Sequence, residues 1–388
     1  MAEKILVLGC DGYIGHALVM RLLNKGYDVV GVDDFRRRRS VKEMESFSAT
    51  KIKKMVEKEE VFKSIGNFEF YSFSLEEENE YDRLKEIISE DFFAIVNLAQ
   101  QPSAPYSQIS LGHAHSTVIG NLMSTINILY AMRETSSKAQ LVQIGTMGEY
   151  DPAVNVDIPE GIFDFDYKGR TAKTSIFPRR PGSIYHASKV ASTYYIDCAC
   201  RWWDIKATDI MQGVVYGGWT PEIEKHGLYS RLDSDEAFGT VVHRFVIQAL
   251  IGSPLTVFGK GLHSRGFLAI NDCVQCLMLA IENIPADGEY RTWNQLDVVH
   301  SMNDIVGKVR TVAKEFGMKI SKDFIKSPRA EAVDDHYYNP VVNKLKKLGF
   351  KPTRNLIDEI RFLFNVLIDN VDELMALEHV VIPKIMWR

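Results

Sequence analysis

Tyr185 and Lys189 stand four residues apart in the run Ser183-Ile184-Tyr185-His186-Ala187-Ser188-Lys189. On a helix that spacing puts both side chains on one face. A phenol with its ordinary pKa near 10 is a poor base at neutral pH. Lowering that value by about three takes ~4 kcal/mol of preferential stabilisation of the phenolate. A desolvated ammonium beside the phenol is one source, so the pair is a candidate for taking a proton from a substrate hydroxyl. Thr146 follows the apolar run Gln140–Ile144 in Gly145-Thr146-Met147-Gly148-Glu149-Tyr150-Asp151, at what reads as the tip of a buried strand. Its hydroxyl is placed to hold a substrate oxygen. His186 and Glu149 are the nearest groups that could move a second proton. Met147 is apolar enough to shape a dry pocket.

These residues need a scaffold, and the N-terminus supplies its pattern. Lys4-Ile5-Leu6-Val7-Leu8 is short and branched, as suits a buried parallel strand. Gly9, Gly12 and Gly15 follow at once, with Asp11, Tyr13 and Ile14 between them, and an amphipathic stretch then runs to Lys25. The next strand, 27–34, ends in Asp33-Asp34. Glycines in this first turn let backbone approach a pyrophosphate, which the helix N-terminus favours with free N–H groups. Asp33 is placed to accept hydrogen bonds from the adenosine ribose, and its charge repels a 2′-phosphate. NAD is therefore expected over NADP, although arginines adjoin the site. The nicotinamide charge would add to the pull on the Tyr185 proton.

Further strands are expected at 68–74, 92–99, 139–146 and 205–217, with helices over 112–135 and 185–203. This alternation predicts an α/β fold, a doubly wound parallel sheet of Rossmann type. Residues 40–66 read as an inserted, solvated helix or two, and Arg36–Arg39 as a solvated loop. Past Gly217 the pattern loosens: 219–240 reads as a loop or lid, 254–259 as a short strand, and 302–317 and 355–370 as helices. The expected division is a dinucleotide-binding domain over 1–218 and a smaller substrate domain over 219–388, with part of 241–283 returning to the first.

The net charge of −5 gives no reason to expect nucleic acid. No apolar stretch reaches the ~20 residues that span a bilayer. A first strand opening at Lys4 leaves no room for a leader, so a cytoplasmic or mature imported protein is expected. The five cysteines are scattered; Cys273-x-x-Cys276 has no second pair, and buried helix thiols are expected there rather than a metal.

The glycine spacing, Thr146, Tyr185 and Lys189 together resemble an extended short-chain dehydrogenase/reductase. Asn121, in Gly120-Asn121-Leu122-Met123, matches that family's helix asparagine, and 254–282 resembles its nucleotide-sugar subgroup. The resemblance implies NAD contacts by Gly9, Asp11, Gly12, Tyr13, Ile14, Gly15, Asp33, Asp34, Arg37, Leu98, Asn121, Tyr185 and Lys189, and a homodimer formed through the two long helices. It implies phosphate or ribose contacts by Arg244, Arg265 and Arg329, uracil beside the strand carrying Thr256 and Val257, a sugar lined by Gln100, Gln101, Ser103 and Tyr106, and further substrate contacts by Met147 and Gln212. Longer segments (100–107, 145–150, 185–189, 212–217, 231–245 and 327–339) are similar to the branch that joins sulfite to UDP-glucose, feeding a sulfolipid or a sulfonated glycan. For that branch the resemblance implies a 4-ketone, a 5,6-ene and bound NAD that is recycled, with sulfite free or delivered by a partner protein. Asp34, Ser74 and Gln100 depart from the branch, where Asn, Asp and Glu are usual. Dehydratases of the subgroup place Asp and Glu after the threonine; here Met147 and Gly148 stand there, so the acid and base are assigned to His186 and Glu149. A 4-epimerase, a 4,6-dehydratase and a non-catalytic NAD-sensing module are the competing readings.

Overall fold

The computed structural model describes residues 2–150, 156–327 and 337–386. The opening β-α-β unit is β1 (Lys4–Leu8), α1 (Tyr13–Asn24) and β2 (Asp28–Val32). α2 (Arg36–Glu43) and α3 (Met55–Ile65) precede β3 (Phe68–Tyr71). Next come α4 (Tyr81–Ile88), β4 (Ala94–Asn97), α5 (Leu111–Glu134) and β5 (Gln140–Thr146). The hairpin β6 (Ile162–Tyr167) and β7 (Arg170–Ile176) leads to α6 (Ile184–Trp203) and β8 (Lys206–Gln212). Its two-residue turn, Lys168-Gly169, has φ of 50° and 76°, the geometry that suits the twist of a tight hairpin.

After Gly213 the chain continues through β9 (Val214–Tyr216), α7 (Pro221–His226), α8 (Val241–Leu250) and β10 (Leu255–Phe258). β11 (Ser264–Ala269), α9 (Ile270–Glu282), β12 (Tyr290–Gln295) and β13 (Val298–Ser301) follow. The last elements are α10 (Met302–Glu315), β14 (Lys322–Ile325), α11 (Lys344–Lys347) and α12 (Leu356–Leu367).

Seven strands form one parallel sheet in the order β12-β8-β5-β4-β1-β2-β3. Helices cover both of its faces, so Ile5, Leu6, Val7 and Leu8 are all fully buried; this is why strand β1 lacks polar alternation. The doubly wound fold expected from the alternation is the one observed. The expected strand 205–217, however, is two strands. The Gly213 N–H donates to Gln295 O at 2.8 Å, and a Cβ at Gly213 would sit 2.8 Å from Gly266 O. The chain therefore leaves the large sheet there, and β9 joins β11 and β13 in a separate one. A second apolar core lies among α8, α10 and α12, built on Phe245, Val309, Ile360 and Phe364. The segment 270–295 returns to the large sheet, with α9 packed on α1 and β12 at the sheet edge.

Three solvated or loose segments are more ordered than their charge suggests. Arg36–Arg39 opens α2 rather than lying in a loop. Its side chains are paired: Arg37 with Asp233 at 2.8 Å, Arg38 with Asp11 at 2.6 Å, Arg39 with Asp34 at 2.9 Å, and Arg36 with Glu76. α3 is not solvated on its inner face, where Met55, Lys58 and Phe62 are buried. The 219–240 segment contains α7, and its remainder is a strap held from both sides. Ser230 O accepts from Thr50 at 2.7 Å, Ala49 N–H donates to Leu232 O at 2.9 Å, and Glu236 N–H donates to Val380 O at 3.0 Å. Among the described residues no helix is long and apolar enough to cross a membrane. Cys273 and Cys276 are free, buried thiols on α9, and no group of metal-ligating side chains occurs among the described residues.

Candidate active site

A cavity of about 770 Å³ opens over the C-terminal ends of the parallel strands, the place where open α/β sheets bind ligands. One end is floored by the glycine turn. Gly9 has φ of +86°, and a Cβ there would fall 2.6 Å from the Leu98 carbonyl carbon. Only glycine fits both demands. Gly9, Gly12, Tyr13, Ile14, Gly15 and Leu98 all line this end. Asp33 lines it too and accepts from the N–H groups of Asp11 at 2.9 Å and Phe35 at 2.7 Å. Burial, reinforced by the nearby Asp11 carboxylate, pushes the Asp33 carboxyl up to about 6. Asp34 and Arg36 lie on the same wall.

Two residues assigned to the dinucleotide do other work. The Asp11 side chain points beneath the turn, where Arg38 grips it at 2.6 and 2.7 Å and the fully buried Lys58 at 2.8 Å. Burial opposes its charge, but the Arg38 and Lys58 contacts prevail and hold its carboxyl below the usual range. Only its backbone remains for a ligand. Asn121 also misses the cavity. Its Oδ1 accepts from Gln101 N at 2.7 Å, and its Nδ2 donates to Ser188 Oγ at 3.0 Å. It ties the β4 loop and α5 to α6, and so sets the helix that carries Tyr185 and Lys189.

At the other end the hydroxyls and amine converge. Ser183 caps α6, accepting from His186 N at 3.1 Å, which starts the helix one residue before Tyr185. Tyr185 is buried; burial and the Glu149 charge raise its phenol well above 10, against a hydrogen bond with Thr146. Lys189 donates to Ile144 O at 2.7 Å and to Gln100 Oε1. Burial lowers its ammonium to about 8, opposed by Glu149 and Asp209. Its Nζ lies 5.9 Å from the Tyr185 ring centroid. Gln100 thus holds the lysine by a neutral contact, and its own Nε2 is anchored to Asn121 O at 2.9 Å.

Glu149 does not reach the cavity, which corrects its assignment as acid or base. It is fully buried and receives the Thr146 N–H at 3.1 Å, Arg179 at 3.0 Å and Thr193 at 3.3 Å. Burial is the largest influence on its carboxyl and, with Asp209, keeps it raised against the pull of Arg179. Its geometry is that of a cap on the turn bearing Thr146. His186, by contrast, lines the cavity. Ser183 Oγ sits 3.0 Å from its Nδ1, and its Nε2 is the atom a Cβ at Gly148 would strike first. The imidazole therefore fills the space that a side chain at position 148 would take. Met147 lines the same wall and packs with Met211, Phe177 and Leu296.

For the rest of the substrate set, Gln101, Ser103, Gln212, Arg244 and Arg265 line the cavity. Arg244 is buried, and its Nε has no partner among the described residues. Burial lowers its guanidinium to about 10. Tyr106 does not line the cavity: its hydroxyl turns to Glu43 at 2.7 Å and its ring packs on Phe238 at 5.0 Å. Thr256 and Val257 are also turned away. Thr256 is paired with Gln248 at 2.8 and 3.1 Å, and Val257 is buried in the second core; their neighbour Phe258 reaches the cavity instead. Arg329 lies outside the described residues. Sequence reasoning missed Arg231, Asp233, Phe238 and His243 on the strap and α8, all of which line the cavity. The strap's density of charge and aromatic residues was the one available signal.

A parallel sheet ending in a glycine turn, an acid after β2, and a Thr-Tyr-Lys group at one cavity define a dinucleotide-dependent enzyme. The chain matches the model of the NAD dependent epimerase/dehydratase family over residues 5–294 and belongs to that family. It is similar to a UDP-sulfoquinovose synthase of Sulfolobus acidocaldarius, 39% identical over 99% of this chain and 98% of the relative. It is similar also to the chloroplastic UDP-sulfoquinovose synthase of Spinacia oleracea, 36% identical over 100% of this chain and 79% of that protein. It is thus an NAD-dependent nucleotide-sugar enzyme of UDP-sulfoquinovose synthase type. Among solved structures, a Thermotoga maritima UDP-glucose 4-epimerase with UDP-glucose shares the fold, with a TM-score of 0.70, 21% identity, and coverage of 95% and 99%. So does a Bacillus cereus UDP-glucuronic acid 4-epimerase with UDP-glucuronic acid and NAD, at 0.66, 22%, 96% and 99%.

Proposed function

We propose that this protein converts UDP-glucose and sulfite into UDP-sulfoquinovose and water. The observation that carries the reading is the site of His186. Its imidazole stands against Met147-Gly148, where dehydratases of the subgroup carry their acid and base, and full-length relatives at 36% and 39% identity are synthases of this product. NAD, when bound, supplies a hydride acceptor for C4 of the sugar and later the donor that returns it. The glycine turn and Asp33 would hold its adenosine and diphosphate, and Lys189 would hold its nicotinamide ribose.

Tyr185 takes the proton of the 4-hydroxyl while Thr146 holds that oxygen. The phenol sits above its ordinary range even with Lys189 beside it, so the chemistry needs further positive charge, which the nicotinamide would provide. The 4-ketone acidifies the C5 hydrogen, His186 removes it, and hydroxide leaves C6 as water on receiving a proton. Sulfite then adds to C6 of the 5,6-ene, C5 is reprotonated, and reduction at C4 completes the turnover. Arg244 and Arg265 are assigned to the UDP diphosphate, for which the unpartnered Arg244 Nε is a ready donor.

Purified protein, UDP-glucose and sulfite, with product mass as the readout, tests the proposal. A sulfonated hexose is expected. UDP-galactose, a 4-keto-6-deoxy sugar indifferent to sulfite, or no conversion would each overturn it, pointing to an epimerase, a dehydratase or an NAD-sensing module. We also assign a homodimer to the outer faces of α5 and α6, where Ile119, Met123, Tyr130, Tyr195 and Trp202 are exposed. Light scattering should give twice the chain mass, and a monomer at all concentrations would refute that assignment.

A further inference from the structure

Arg37 and Arg231 lie far apart in the chain and share one carboxylate. Asp233 Oδ2 accepts from Arg37 Nε at 2.8 Å and from Arg231 Nε at 2.8 Å, while its Oδ1 accepts from Arg231 Nη2 at 3.1 Å. The Arg37 guanidinium also lies 3.9 Å over the Phe238 ring. This arrangement leaves donors over. Arg37 Nη1 and Arg231 Nη1 are buried and have no partner among the described residues. The same is true of Ser230 Oγ, Ser234 Oγ and Asp235 Oδ2 on the strap. Buried polar atoms are normally paired, so such a concentration marks a place prepared for a polar ligand. Counting Asp235, whose other oxygen accepts from Ala237 and Phe238 N–H at 2.9 and 2.8 Å, the group is neutral. What it has in excess is hydrogen-bonding capacity, not charge.

Its location selects the ligand. Arg37, Arg231 and Asp233 line the cavity together with Gly12 and Tyr13 at the start of α1. Asp233 borders His243, whose ring packs edge-on to Tyr13 at 5.5 Å. The Tyr13 hydroxyl in turn donates to Gly217 O at 2.7 Å. The strap therefore stands beside the glycine turn and the start of α1. We propose that the strap is the second half of the cofactor's diphosphate site: Arg231, oriented by Asp233, donates with Arg37 to the diphosphate held by the turn. Arg231 is only 3% exposed and the strap is bonded to 48–50 and to 380–385. Release of the dinucleotide then requires breaking contacts to a fixed wall. A recycled cofactor benefits from that slow release. This inference rests on the NAD-dependent reading above.

The test uses the full-length protein with its co-purified dinucleotide. NAD content is measured after denaturation, NAD release is followed by dilution with an NADH trap, and UDP affinity is measured by calorimetry. Arg231→Gln is expected to release NAD about ten- to hundredfold faster, the scale of one lost charged hydrogen bond, with UDP affinity within twofold. Arg231→Lys, which keeps the charge but not the fork, should fall between, and covers the case in which the glutamine variant does not fold. A folded lysine or glutamine variant with wild-type NAD content and release overturns the proposal, as does loss of UDP affinity with NAD release unchanged. If the unaltered protein neither carries nor binds NAD, the functional reading falls as well, and that outcome is distinct from the others.

Discussion

Replacing Glu149 by Gln and by Leu separates a cap from a catalyst. The glutamine keeps an amide oxygen where Oε1 receives the Thr146 N–H at 3.1 Å. It loses the charge that faces Arg179 at 3.0 Å. Burial and Asp209 already hold this carboxyl above its usual range, which lessens the cost of neutralising it. The amide nonetheless turns an NH2 toward Arg179 in place of an acceptor, so a loss of about 3 kcal/mol is expected while the Thr146 N–H keeps its partner. Leucine removes every acceptor at once. The Thr146 N–H loses its partner, which costs about 1–3 kcal/mol. Arg179 is 1% exposed, with Nε and Nη2 already unpartnered among the described residues, and it loses its direct ion pair, which costs about 3 kcal/mol or more. A loss of ~4 kcal/mol is a large part of a typical folding free energy of about 5–15 kcal/mol. Denaturant midpoints measure the stability; deuterium uptake at C5 of the sugar, by mass spectrometry, measures the elimination half-reaction. Glu149→Gln should keep C5 exchange within tenfold of wild type. A glutamine variant that still folds but whose C5 exchange is slowed a thousandfold would refute the capping role and restore Glu149 as the base.

Three further outcomes follow from the site. His186→Ala should lose C5 deuterium exchange by about a hundredfold or more while still oxidising C4, seen as transient NADH absorbance; normal exchange would exclude the imidazole. Lys189 is buried with its ammonium lowered from 10.5 to about 8, so between these values the unfolded chain binds more protons than the native one. Its contribution to stability therefore rises with pH across that window by about 3 kcal/mol, and Lys189→Met should abolish that part of the rise in unfolding measurements from pH 8 to 10.5. Arg244→Gln should weaken UDP by about ten- to hundredfold and leave NAD content unchanged; equal UDP affinity would remove Arg244 from the diphosphate site.

The strands and helices that build the large sheet were legible because their signals are local. A branched apolar run such as Ile5–Leu8, a glycine turn and a Tyr-Lys pair at helical spacing each declare themselves within ten residues. What escaped depends on partners far along the chain. Asp11 reads as a ligand of the dinucleotide until Lys58 and Arg38 claim it. Asn121 reads as a contact until Ser188 and Gln101 take both ends of its amide. The strap looks like a lid because its stabilising contacts come from 48–50 and 380–385. Gly213 shows the same limit on a smaller scale. Nothing in 205–217 announces that the backbones of Gly266 and Gln295 crowd the position and turn the strand out of the sheet.

The loss of the dehydratase carboxylates after Thr146 has an electrostatic reason if sulfite is the nucleophile. Sulfite is an anion at neutral pH and must reach C6 beside the turn at 146–148. Two unit charges 4 Å apart repel by about 4 kcal/mol at an effective dielectric constant of 20, and by about 1 kcal/mol in water. A carboxylate pair at 147 and 148 would therefore oppose entry by several kcal/mol while serving the elimination. A thioether at Met147 and an imidazole leaning over Gly148 separate the two demands, because histidine moves the proton without holding a negative charge. Met147→Asp and Met147→Asn isolate the term, since the two side chains are nearly equal in size and both disturb the packing against Met211 and Phe177. The aspartate variant should raise the KM for sulfite about ten- to hundredfold over the asparagine variant, with UDP-glucose binding equal in the two and the gap narrowing as salt is raised. Equal sulfite KM values in the two variants would show that charge at this turn does not govern the nucleophile, and the reason for the missing carboxylates would have to be sought in the geometry of His186 alone.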